Sequence, residues 1–494
     1  MLWTDGRYFI QAENQLAGSE IQLFKMGIPG FPTYMEWLKD NLNDGDAIGF
    51  NGKIFPQSDV KKLEKEVGDK KIKFVDEFDL VGELWTDRPA MPKSKAFVHD
   101  VEYTGKTAKE KIAEVRKEME KKGADYFLLG SLDDVAWVYN IRGRDVVSNP
   151  VVISYGLISK NKAWLFVDKD KIDTNVESYL KENGIETDGY NNVIDYVKKI
   201  DEKSKVFIDP SRINRWLYKG IPEKCEIIEG TNITTNLKGI KNKIEIKNQK
   251  NAYIKDGVAL VKFLYWLDEN LGKIKITEVS AAEKLEEFRK EQDGFIEPSF
   301  ATIAAYKENA AMMHYSAEEG KSNYELKREK MFLVDSGGQY YDGTTDITRT
   351  IVLGDITEEE KKDFTLTLKG HINLINARFL YGATGSSLDV LSRYPLWQEG
   401  LDYKCGTGHG VGFLLNVHEG PHRISTVPDK VKLEKGMVVT IEPGVYKAGK
   451  HGIRIENVAV VEEDIETEFG GKFMKFENIS YCPIDLDGID VDML

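Results

Sequence analysis

Cysteine is scarce. Cys225, Cys405 and Cys482 are the only three in 494 residues, and they lie far apart. An odd, sparse set excludes a disulfide framework, suits a reducing cytoplasm and lacks zinc-finger spacing. Long apolar runs are missing as well. The longest, Val258 to Leu267, carries Lys262 and is about half of the roughly 20 residues that span a bilayer. The opening Met1-Leu-Trp-Thr-Asp-Gly-Arg7 has no basic stretch leading into an apolar one, so it does not read as a signal peptide. Basic charge is in deficit, with 68 Lys and Arg against 82 Asp and Glu and a net charge of −14. Nucleic acid and anionic membrane both demand a basic patch, so neither is an expected partner. Histidine is sparse and uneven. Of seven, His314, His371, His409, His418, His422 and His451 all lie toward the C-terminus, and that is where chemistry is expected.

What is present is a globular composition, 41% hydrophobic and 30% charged, in a chain long enough for about three domains. Thr107-Ala-Lys-Glu110 reads as a capping box opening a helix that carries Ile112, Val115 and Met119 and stops at Gly123. Strand-like runs follow at 126–129, 151–154, 163–167 and 205–208, with a helix at 174–183. This alternation predicts an α/β domain over 96–240. Residues 1–92 echo its later part: Leu2-Trp3-Thr4-Asp5 parallels Leu165-Phe166-Val167-Asp168, Gly27-Ile28 parallels Gly184-Ile185, and Ala47 to Asn51 parallels Lys205 to Asp209. Read as a repeat, the first copy lacks a counterpart to roughly the leading 60 residues of the second, which predicts a partial first domain. Residues 241–494 read as one large α+β domain.

That last region carries the chemistry. Phe332-Leu-Val-Asp335 ends a strand, a Gly-rich turn follows, and Asp346-Ile-Thr348 enters the next. A hairpin of this length can set two carboxylates side by side, with Thr348 on the face of Asp346 to orient it; by itself it is equally an ordinary surface hairpin. Gly406-Thr-Gly-His409-Gly-Val-Gly surrounds one imidazole with glycines that let the backbone approach a ligand. Glu442 ends an apolar strand. Gly452 to Val461 alternates, which puts Arg454 and Glu456 on one face and, taken alone, suits a surface ion pair. His371 and His422 have no such context and read as structural or solvated. Two Asp, one His and two Glu in one domain match the hard-ligand needs of two divalent ions, with manganese, cobalt or iron preferred over a thiolate-type zinc site.

These residues resemble the pita-bread metallopeptidases, the group of methionine aminopeptidase, prolidase and aminopeptidase P. That family's ligand order, Asp, Asp, His, Glu, Glu, reads here Asp335, Asp346, His409, Glu442, Glu456. Asp-Gly-Thr-Thr-Asp-Ile-Thr-Arg-Thr, Gly-Thr-Gly-His-Gly-Val-Gly, Asn-Val-His-Glu-Gly-Pro, Gly-Ile-Arg-Ile-Glu-Asn and the opening Leu-Trp-Thr-Asp-Gly-Arg-Tyr-Phe-Ile-Gln-Ala look most like the three-domain, cytosolic Xaa-Pro aminopeptidases. The resemblance implies two creatinase-like α/β domains, the first truncated, before a pita-bread catalytic domain. It implies two divalent ions, manganese first with cobalt, iron or zinc as alternatives, bridged by Asp346, Glu456 and a water or hydroxide. Asp335 would complete one set, and His409 with Glu442 the other. Glu442 would take the water's proton, His314 and His418 would act near the scissile bond, and Arg454 and Tyr446 would support the site. The implied substrates are peptides with proline second, and the implied assembly is a cytoplasmic homodimer. A prolidase-type dipeptidase and a non-catalytic pita-bread binding protein are the alternatives. Many relatives carry a His where Cys405 stands, four residues before the ligand His, and an exposed thiol there would be oxidation-sensitive.

Overall fold

The computed structural model describes residues 1–494. The chain forms two compact units, Met26–Lys238 and a second that joins Met1–Lys25 to Gly239–Leu494. No helix is long and apolar enough to cross a membrane.

The first unit is built around a six-stranded sheet in the order Ile185–Asp188, Ala163–Val167, Ser154–Ser159, Tyr126–Leu129, Lys205–Ile208, Glu226–Glu229. Only Ser154–Ser159 runs antiparallel to its neighbours; the other pairings are parallel. The helix Ala108–Lys122 starts on the Thr107–Glu110 capping box, ends on Gly123 at φ 70° and buries Ile112, Val115 and Met119. The strand expected at 151–154 begins only at Ser154. Asp145 holds the residues before it: its N–H donates to the Val151 carbonyl at 3.3 Å, and its carboxylate accepts from Ile153 N at 2.7 Å.

The short parallel pair Ala47–Gly49 with Lys73–Val75 repeats the pairing of Lys205–Ile208 with Glu226–Glu229. In the other unit, Leu2–Thr4 with Leu23–Lys25 repeats that of Ala163–Val167 with Ile185–Asp188. The match of Gly27 to Gly184 does not hold, because one strand precedes Gly27 and the other follows Gly184.

After Gly239 the larger unit continues with two capped helices, Lys243–Asn270 and Glu278–Lys290. Their apolar stripes bury Phe263, Leu267 and Leu285 against Phe332 and Val334 of the strand that carries Asp335. At about 1.5–3 kcal/mol per buried side chain, this packing fixes that strand's position. Ile303–Tyr306, Met331–Ser336 and Ile347–Val352 form one antiparallel sheet. A six-stranded antiparallel sheet runs Arg378–Leu380, Gly471–Asn478, Asn457–Thr467, Val438–Ile441, Gly408–Gly410, Glu419–Ile424.

The alternating run expected from Gly452 to Val461 is two strands. His451–Arg454 pairs back on Gly444–Lys447 as a hairpin, whereas Asn457–Thr467 joins the large sheet. The chain changes partner at Ile455 and Glu456, so Arg454 and Glu456 are not a surface ion pair. Both are buried, at 3% and 1% exposure.

Candidate metal centre

Every predicted ligand but His409, which is central in a short strand, sits near the end of a strand or next to one. Asp335 lies across from Thr348 and Ile303 in the three-stranded sheet. Asp346 immediately precedes Ile347–Val352. The turn between them is tight: a Cβ on Gly337 would lie 1.9 Å from the Thr345 carbonyl oxygen, so only glycine lets the two segments press together. His409 is central in Gly408–Gly410. A Cβ on Gly408 would meet the Thr440 carbonyl oxygen at 1.9 Å. That glycine therefore admits the neighbouring strand and not, as the sequence suggested, a ligand. Glu442 follows Val438–Ile441, with its N–H on the Thr407 carbonyl at 2.8 Å.

The residues converge. Asp346, His409 and Glu456 bring one donor atom each to within 4.8 Å of one another, close enough to hold a metal ion. His409 Nδ1 lies 3.0 Å from the Gly410 carbonyl oxygen, so the ring proton sits there. The Nε2 lone pair then faces Asp346 Oδ2 at 3.5 Å and Glu442 Oε1 at 3.4 Å. Burial holds His409 down at about 4, so the imidazole is neutral at pH 7. Burial, and then repulsion from Glu456, pushes the Asp346 carboxyl well above its usual range. Burial followed by Glu442 does the same to Glu456. Asp335 Oδ1 and Glu456 Oε1 are buried with no hydrogen-bond partner. A neutral imidazole and four carboxylates, with lone pairs facing one another and two orphaned oxygens, are a donor set that fits divalent cations.

Support comes from the strands behind. Thr348 does not orient Asp346 as expected; its hydroxyl donates to Glu456 Oε2 at 2.8 Å. Thr440 Oγ1 donates to Glu442 Oε1 at 3.1 Å and accepts from His409 N at 3.0 Å. Arg454 reaches four groups, donating to Asp335 Oδ2 at 2.6 Å, Tyr446 Oη at 2.8 Å, Thr348 Oγ1 at 3.2 Å and the Met313 carbonyl at 3.4 Å. His371 and His422 are structural: each is buried, and a ring nitrogen meets the Ile441 and Val438 carbonyls respectively.

The cluster opens into a cavity of about 750 Å³ lined by His314, His418, Tyr446 and Cys405 among others. His418 packs edge-on against His409 with ring centroids 4.2 Å apart. The proximity of His409, and then burial, lowers His418 to about 4. Burial, followed by the Arg454 and Arg7 cations, lowers His314 to about 4. The Cys405 thiol is pushed up to about 12 by burial and by Glu442. Arg7 and Tyr8 line the same cavity, and neither is singled out by sequence reasoning. Their one signal is the Leu-Trp-Thr-Asp-Gly-Arg-Tyr string itself.

Comparison with known proteins accords with this geometry. Residues 1–82 and 87–245 each match the creatinase/prolidase N-terminal domain, and 247–463 match metallopeptidase family M24. Xaa-Pro aminopeptidase 1 of Dictyostelium discoideum is 40% identical over 511 residues, covering 100% of this chain and 80% of that protein. Aminopeptidase P1 of Arabidopsis thaliana is 37% identical over 546 residues, covering 100% and 84%. The crystal structure of X-prolyl aminopeptidase from Caenorhabditis elegans, described as a cytosolic enzyme with a di-nuclear active site, superposes with a TM-score of 0.95 at 36% identity. It covers 100% of this chain and 81% of that one. The Xaa-Pro dipeptidase of Bacillus anthracis superposes less fully, with a TM-score of 0.60 at 25% identity over 77% of this chain and 99% of its own. The chain belongs to metallopeptidase family M24, in its Xaa-Pro aminopeptidase branch.

Proposed function

We propose that this protein releases the N-terminal residue from peptides whose second residue is proline, using two divalent cations, manganese first, held by Asp335, Asp346, His409, Glu442 and Glu456. The observation that carries the reading is the convergence of Asp346, Glu442, Glu456 and the neutral His409 on one point, with Asp335 lining the same cavity. Two cations held there would lower the pKa of a bound water and polarise the scissile carbonyl.

The chain's own residues do the rest. Glu442 Oε takes the attacking water's proton; burial raises its carboxyl and so makes it a better base than an exposed glutamate. His314 and His418 are neutral at pH 7, so each has one N–H to give to a carbonyl oxygen on the substrate. Arg454 holds Asp335 and Tyr446 in place and lends positive charge to a site dominated by carboxylates. Proline's amide nitrogen carries no hydrogen, so the site grips the bond from its carbonyl side, where the two histidines stand.

By the same reading the protein is cytoplasmic and homodimeric; the nematode relative is described as cytosolic. Retention of all five donor residues argues against a binding-only role. The test is metal content together with turnover. The purified protein dialysed against manganese should hold two ions per chain and cleave Xaa-Pro peptides, and Asp346→Asn should lose both properties while staying folded. An Asp346→Asn variant that still turned over at the wild-type rate would refute the shared-ligand role.

A further inference from the structure

His314 lies on the loop between Ile303–Tyr306 and Met331–Ser336. Its backbone is anchored on one side by Glu278, which accepts from Tyr306 N at 2.7 Å, Asn309 Nδ2 at 3.0 Å, Tyr315 Oη at 2.8 Å and Tyr324 N at 2.8 Å. Those four bonds pin both ends of the segment around His314, and none of them reaches its ring. The ring is held from elsewhere. Tyr8, more than three hundred positions earlier in sequence, sets its hydroxyl 2.7 Å from His314 Nδ1. The two rings also meet edge-on, with centroids 5.1 Å apart and planes at 86°.

Tyr8 is itself rigidly placed. It caps the helix Phe9–Leu16, and its carbonyl accepts from Ala12 N at 2.8 Å. The turn before it is closed by a two-pronged ion pair: Arg7 Nε donates to Asp5 Oδ1 at 2.8 Å and Arg7 Nη2 to Asp5 Oδ2 at 2.7 Å. Gly6 packs on the backbone of Lys404, where an added Cβ would sit 3.2 Å from the carbonyl oxygen.

A neutral imidazole carries one proton, and the partner of one nitrogen decides which nitrogen bears it. Between a phenol and an imidazole the phenol is the stronger acid and the ring nitrogen the stronger base, so Tyr8 donates and Nδ1 accepts. The ring proton then resides on Nε2. We propose that Tyr8 is a positioning residue for peptide hydrolysis: it locks His314 as the Nε2–H tautomer in one orientation, so that the imidazole donates a hydrogen bond into the cavity. This inference rests on the Xaa-Pro aminopeptidase reading of the site.

Tyr8→Phe keeps the ring contact and deletes the donor. In the full-length, manganese-loaded enzyme we expect kcat on Xaa-Pro-Yaa-Zaa to fall about tenfold, the scale of a misoriented catalytic group, with KM, metal content and melting temperature unchanged. In a His314→Ala background the same substitution should change nothing further, because Tyr8 acts through that ring. A tenfold loss in both backgrounds, or no loss in either, would overturn the proposal. A second readout does not depend on substrate. In protein labelled with ¹⁵N-histidine, with His314 assigned by its loss in His314→Ala, Nδ1 should resonate as an unprotonated nitrogen and Nε2 as a protonated one. Tyr8→Phe should average the two. The opposite tautomer in the wild type, or identical spectra in the variant, would also overturn it. If the wild type cleaves no Xaa-Pro peptide, the functional reading fails, and the ¹⁵N spectra still decide the tautomer.

Discussion

Asp346→Asn should stabilise the metal-free protein. Asp346 and Glu456 are both buried, at 4% and 1% exposure, and each brings a donor atom into a group spanning 4.8 Å. Two like charges at that distance repel by about 3 kcal/mol at an effective dielectric near 20. Burial raises both carboxyls in the folded state, helped by repulsion from Glu456 on Asp346 and from Glu442 on Glu456. The folded protein therefore binds more protons than the unfolded chain above the ordinary carboxylate range, and stability falls as pH rises through the raised values. Asparagine keeps the shape of the side chain and removes one charge. Thermal unfolding in chelator at about pH 8 should show the variant's transition higher by roughly 5 °C, since 3 kcal/mol is worth that in a unit of this size. At lower pH the difference should shrink, because protonation of the raised wild-type carboxyls removes the repulsion. With saturating manganese the order should reverse, since only the wild type gains stability from binding. A metal-free variant no more stable than the wild type at pH 8 would refute the reasoning.

Other consequences can be measured directly. Arg454→Lys cannot reach Asp335, Tyr446 and Thr348 together, so manganese affinity measured by titration should weaken by about 10- to 100-fold with the fold intact. Glu278→Gln puts an amide against donors that need a carboxylate; a cost of about 1–3 kcal/mol in unfolding experiments and a fall in kcat through the His314 loop are expected. Burial lowers His371 and His422 to about 4. The folded state therefore binds fewer protons than the unfolded chain below the ordinary histidine value. Stability present above pH 6.5 should be lost as pH falls toward 4, by up to about 3 kcal/mol for each ring, and His371→Gln should flatten the profile. The raised Cys405 thiol is mostly protonated at neutral pH, so iodoacetamide at pH 7.5 should leave activity intact; rapid inactivation that Cys405→Ser abolishes would contradict this.

Four of the five candidate donors are legible in sequence because each carries local punctuation. Asp335 and Glu442 close apolar strands, His409 is flanked by glycines, and the spacing of Asp335 and Asp346 matches a strand, a turn and a strand. The helix over 108–122 was legible for the same reason, since the Thr107–Glu110 box and Gly123 announce both ends. What escaped depends on partners distant along the chain. Nothing near Thr348 reveals that its hydroxyl serves Glu456, over a hundred positions later. The alternation from Gly452 to Val461 is genuine, but Gly444–Lys447 captures His451–Arg454 and divides it between two sheets. Tyr8 looks like an aromatic at a helix start until its hydroxyl is found against His314.

The central claim is tested most directly by one peptide panel assayed with manganese and with chelator. Mass spectrometry should show release of the first residue alone from Xaa-Pro-Yaa-Zaa, little release from Xaa-Ala-Yaa-Zaa, and no product in chelator. Efficient cleavage of the Xaa-Pro dipeptide alone, or turnover undiminished by chelator, would contradict the account.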